Sequence, residues 1–169
     1  MLGGEKSPEG GIVGLKVYSG KKLSNEEKAK INKVKVREIF WHALLGEIHP
    51  KKVEEMFESG SLTYSHLAQV PLHPLNIIHI LEKYLQEEIN EDFVKEWALF
   101  VLMMDCYRQP NDEYCDVHSD DAADDKYEPM WYVIQQLSAP EIDYSERKLT
   151  PQQARKHIEE LYEFMRKTP

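Results

Sequence analysis

Metal chemistry on helices needs histidines and carboxylates three or four residues apart, so that their ligating atoms converge on one face. The chain holds three such pairs: Glu38 with His42, His79 with Glu82, and His157 with Glu160. A helical-bundle metal-dependent enzyme built on these six residues is therefore one reading. None of the pairs has the Glu-x-x-His order of inward-facing di-iron ligands. With 30 acidic residues and seven histidines, such spacings also arise by chance. The plainer reading puts these histidines near solvated glutamates, with no cofactor expected. His42 stands among Trp41, Ala43 and Leu44, which predicts a core histidine whose ring nitrogen bonds a neighbouring carbonyl. His49 follows one heptad later, so the two rings can face one groove.

The other chemically loaded segment is Asp105 to Glu128, DCYRQPNDEYCDVHSDDAADDKYE, with nine carboxylates against one arginine and one lysine. Like charges at this density repel one another and resist packing, so the segment is expected to be a solvated loop with a concentrated negative field. Its oxygens suit a hard cation, but a calcium loop of the EF-hand type needs a central glycine, and this stretch has none. Large aromatics follow at once in Met130, Trp131 and Tyr132. Apolar anchors beside a charged rim are how protein interfaces are built. The competing reading of Trp131 is core packing on a stripe with Ile134 and Leu137.

Nucleophilic chemistry has less support. Cys106 ends an apolar helix, where a thiol is normally an inert small hydrophobe, and Cys115 lies among carboxylates that raise a thiol's pKa. Their spacing fits neither a redox CxxC pair nor a zinc knuckle. No GxSxG elbow, glycine-rich phosphate loop, HExxH or dinucleotide fingerprint is present.

The elements that must position these groups are helical. Ser24 followed by Glu27 is a capping-box start for a helix reaching about Leu45. Val36, Ile39, Phe40, Ala43 and Leu44 share one of its faces. Trp41, Leu45 and Ile48 share another, so its second half is expected to be sandwiched between neighbours. Prolines at 50, 74, 129 and 151 mark four further starts, since proline suits the first helical turn. Asn90 caps a helix whose Phe93, Trp97, Phe100, Val101 and Met104 predict the centre of the core. The longest apolar run, Trp97 to Met104, is well short of the ~20 residues that cross a bilayer, so a helix buried in protein is expected and no membrane partner. Ile12 to Tyr18 reads as one short strand or an extended arm.

The expected fold is all-α: a single compact helical domain of five to seven helices over residues 24–169, preceded by a flexible or extended arm over 1–23. At 169 residues this is one domain's worth of chain. Net charge is -9, distributed unevenly: residues 1–52 carry 11 basic against 6 acidic side chains, and the remainder 10 against 24. That balance disfavours nucleic acid, although the first helix is basic from Lys28 to Arg37. The start MLGGEKSPEGG has no basic stretch followed by an apolar core, so export is not expected and the location is read as cytoplasmic. The function expected from these features is an acidic interaction protein that binds a basic protein partner, as an inhibitor or immunity-type protein would. Its contact residues are Asp116, Asp120, Asp121, Asp124, Asp125 and Trp131.

Overall fold

The computed structural model describes residues 24–62, 69–104, 106–110, 124–138 and 148–168; the side chains of 29–31, 124 and 125 lie outside that description. Among these residues six helices run in chain order: α1 (Asn25–Leu44), α2 (Pro50–Glu58), α3 (Pro74–Leu85), α4 (Glu91–Met103), α5 (Glu128–Ser138) and α6 (Pro151–Lys167). The all-α expectation holds. The arm over 1–23, with its Ile12–Tyr18 segment, lies outside the described residues.

Local signals account for the starts. Ser24 accepts from the Glu27 amide while the Glu27 carboxylate accepts from the Ser24 amide. Asn90 caps α4 through Phe93, and Thr150 with Gln153 makes a second capping box before Pro151. Pro50, Pro74 and Pro151 each occupy the first turn of their helix, and α5 opens one residue ahead of Pro129.

The end of α1 organises the core. Its last four carbonyls have no partner within the helix and must find one elsewhere. The amides of Leu45, Glu47 and Gly46 donate to Trp41, His42 and Ala43 in turn. The fourth carbonyl, on Leu44, accepts from the buried Trp97 indole N–H of α4 at 3.2 Å. Gly46 makes the turn possible with φ +70°, and a β-carbon there would stand 2.7 Å from Ile80 Cδ1 of α3. One turn back, the buried Tyr107 hydroxyl donates to the Phe40 carbonyl at 2.7 Å. Phe40 stacks on Phe100, with Phe57 and Tyr107 at 5.9 and 5.8 Å.

Tyr107 belongs to a two-residue strand, β2 (Tyr107–Arg108), parallel to β1 (Val70–Pro71). This pairing was not expected. The amides of Val70 and Leu72 donate to the carbonyls of Cys106 and Arg108, so the bridge fastens the chain leaving α4 to the chain entering α3. α4 packs most extensively on α5, and α3 on α6. Leading into α6, the Tyr84 hydroxyl donates to the Leu149 carbonyl at 2.6 Å and the Leu149 amide donates to Glu91 Oε1 at 2.8 Å.

One expectation about α1 is corrected. Val36, Phe40, Ala43 and Leu44 are buried, but Trp41 is 40% exposed and Leu45 and Ile48 are half-buried. Among its described side chains the helix packs on one face.

Gly46→Ala is expected to cost about 2 kcal/mol or more: about 1–2 for the left-handed backbone, plus the shift forced on Ile80. Urea unfolding should show a lower midpoint at unchanged slope.

Glu91 supplies a pH dependence. Burial disfavours its carboxylate, but the Lys95 ammonium, the Leu149 amide and the Lys148 charge outweigh that and hold the acid below its ordinary value. A carboxyl depressed on folding stabilises above its unfolded pKa, and that stability is lost as pH falls through the folded value. Glu91→Gln should therefore destabilise at neutral pH, and the gap to wild type should close as urea titrations descend through the carboxylate range.

Candidate partner interface

Both described ends of the acidic band are held against the core. At its start, Cys106 and Tyr107 are buried and Arg108 to Pro110 half-buried. At its end a short 3₁₀ turn, Asp124–Tyr127, runs straight into α5, where Met130, Val133, Ile134 and Leu137 face the core. The two ends meet: the Trp131 indole N–H donates to Gln109 Oε1 at 3.3 Å. Trp131 is half-buried, so it joins the expected core stripe only in part and spends its polar edge on closing the base of the loop. Neighbouring Tyr132 is 56% exposed. The buried Nε of Arg108, the band's one arginine, has no hydrogen-bond partner among the described residues.

Of the expected contact residues, Asp116, Asp120 and Asp121 lie outside the described residues. Asp124 and Asp125 open the 3₁₀ turn, their side chains outside the description. Glu128 follows at the first turn of α5, where a carboxylate suits the positive helix end.

The histidine and carboxylate pairs are not assembled into one centre. Glu38 and His42 are both exposed, and His42 Nδ1 pairs with Glu47 instead. This corrects the core role expected for His42: the ring points away from the packed face of α1. On α3, His79 is half-buried and Glu82 exposed. On α6, His157 lies 3.2 Å from Glu160, whose other oxygen is 3.7 Å from Lys156. Among the described residues no three His, Cys, Asp or Glu side chains gather where a metal ion would sit.

Two histidines have a different task. His49 and His73, each followed by proline, are the N-caps of α2 and α3, with Nδ1 accepting from the amides of Lys51 and Leu75 at 3.2 Å. An accepting Nδ1 leaves the ring proton of a neutral imidazole on Nε2. In His49 that nitrogen faces Glu96 Oε2 at 3.3 Å, and Lys51 Nζ holds Glu96 Oε1 at 2.9 Å. The hydrogen bond and charge of Glu96 in turn raise the Lys51 ammonium above its usual value. His49 therefore does not share a groove with His42 as a ligand pair; it closes a helix end.

Apolar surface was also missed. Leu99, Leu102 and Met103 lie three and four residues apart on the outer face of α4, with Leu99 48% and Met103 70% exposed. The signal was present in the eight-residue run Trp97 to Met104. Only one face of a helix can meet the core, so at 100° per residue part of an unbroken apolar run must look outward unless it is wrapped on all sides. No family model, curated protein or solved structure matches the chain, and the site is read from its own chemistry.

His73→Ala should cost about 1 kcal/mol by loss of the cap, with His73→Asn recovering most of it. His42→Ala, which removes only an exposed pair, should stay within about 0.5 kcal/mol of wild type. Urea unfolding of the three variants separates the capping role from the surface one.

Proposed function

We propose that this chain is an interaction protein that engages a basic protein partner through its acidic band, in the manner of an inhibitor or immunity-type protein acting in the cytoplasm. The observation that carries the reading is charge density: nine carboxylates against two basic side chains between Asp105 and Glu128. Such a field accelerates encounter with a positive surface and orients it before contact. The tie between Gln109 and Trp131 supports it as well. A segment whose two ends are tied together loses less freedom on binding than one with free ends. Exposed Tyr132 beside that base offers an apolar contact of the kind that holds a complex once charge has steered it.

The chain with Asp116→Asn, Asp120→Asn and Asp121→Asn is the test, used beside wild type as bait in extract of the source cells. Wild type should retain a basic protein that the variant loses. With that protein purified, association should slow by about tenfold or more and depend less steeply on salt. Equal retention and an unchanged association rate would dispose of the reading.

A further inference from the structure

Two surfaces of this chain are unaccounted for by the acidic band, and they complement each other. The first is the N-terminal half of α1. Every side chain described from Ser24 to Lys35 is exposed, and Val36 is the first buried residue of the helix. Asn25 to Lys35 thus extends about 15 Å of helix beyond the packed part. It carries Lys28, Lys30, Lys33 and Lys35, with Arg37 next, against Glu26 and Glu27. Val34 stands among these charges at 59% exposure. A helical stretch this short is marginal in water without packing, and among the described residues the Ser24 capping box is what supports its free end.

The second surface is the outer face of α4. Asp92, Glu96, Leu99 and Met103 follow one line along the helix, four, three and four residues apart. Leu102 flanks the apolar end. Asp92 is exposed at the other end, with Glu87 and Glu88 exposed in the turn that precedes α4. This ridge is also roughly 15 Å long. It offers an exposed apolar strip with negative charge at its head. The α1 extension offers an exposed valine framed by positive charge.

We propose that the two surfaces are partners between copies: the basic extension of α1 in one molecule lies on the α4 ridge of a second, and the contact is made twice about a two-fold axis. The reciprocal arrangement closes the assembly, whereas a one-way contact would propagate into an open chain. Attraction between the basic first 52 residues and the acidic remainder steers the two copies together despite their shared net charge of -9. Two helix-on-helix strips form a small interface, so the dimer is weak and weakened further by salt.

Sedimentation equilibrium over a concentration series tests this with three variants. Lys33→Glu with Lys35→Glu, and separately Leu99→Lys with Met103→Lys, should each raise the dimer dissociation constant by at least about tenfold: the first replaces the cations attracted to the acidic head of the ridge with carboxylates, and the second sets ammonium groups against the basic extension. All four substituted side chains are exposed, and the circular dichroism and melting of each variant should match wild type. The chain carrying all four changes restores opposite charges at both contacts and should dimerise again, an outcome that general destabilisation would not produce. A wild-type chain that remains monomeric up to ~1 mM overturns the proposal. So does a dimer indifferent to both pairs of changes, an open polymer, or a four-fold variant that stays monomeric. A monomer that instead retains duplex DNA or RNA, and loses it on Lys33→Glu with Lys35→Glu, would reassign the α1 extension to phosphate binding.

Discussion

A single buried hydrogen bond, from the Trp97 indole to the Leu44 carbonyl, is the point on which the rest of the fold is assembled. A helix that ends inside a protein must pair its last carbonyls, because an unpaired buried acceptor costs as much as a lost hydrogen bond. α1 ends in the core, and the turn through Gly46 satisfies three of its four carbonyls from the following amides. The fourth requires a donor from another element. The indole of Trp97, fully buried in the middle of α4, supplies it and ties α4 to the end of α1 at that point. Tyr107 adds a second buried bond to α1 one turn back, from its hydroxyl to the Phe40 carbonyl. The start of the acidic band is thereby set from within the core, by side chains that carry no charge.

Legibility from sequence follows a physical division. Helix starts are written in few residues whose chemistry is local, and Ser24 with Glu27, Asn90 and the prolines at 50, 74 and 151 could be read directly. His49 and His73 escaped because histidine is not among the usual capping residues. Each nevertheless offers an acceptor nitrogen at the right reach and precedes a proline that requires extended backbone before it. The end of α3 escaped for the opposite reason: Glu87 takes the left-handed conformation, φ +60°, that a glycine would have announced. The bridge of β1 with β2 has no local signature at all. Two residues on each side pair because α3 and α4 bring them together, and four residues carry no periodicity to detect.

Direction was harder to read than position. His42 and Trp41 sit among apolar neighbours in the chain, yet both face outward, because only one side of α1 meets the core. The outward run of α4 carries the same lesson in reverse. Apolar residues on every side of a helix suggested complete burial, and burial was the wrong inference for Leu99 and Met103. An apolar helix face turned to water is a standing cost in hydration. The basic half of α1 bears a related cost, since every side chain described there, from Ser24 to Lys35, is exposed. Surfaces of both kinds in one small chain call for a common explanation more than for two separate accidents.

The acidic band adds the last constraint. Nine carboxylates held close together destabilise any compact arrangement of themselves, and the described part of the chain answers this at the ends of the band. Tyr107 and Met130 are buried, and Gln109 joins Trp131 across 22 residues, so closure is secured by packing and one neutral hydrogen bond. A neutral bond at the base brings no positive charge to the band. Had lysines and arginines closed the loop, the same bonds that fixed it would have cancelled its field. Holding the base with an indole and an amide separates the two jobs: the described ends of the band are joined without a basic side chain being set against its carboxylates.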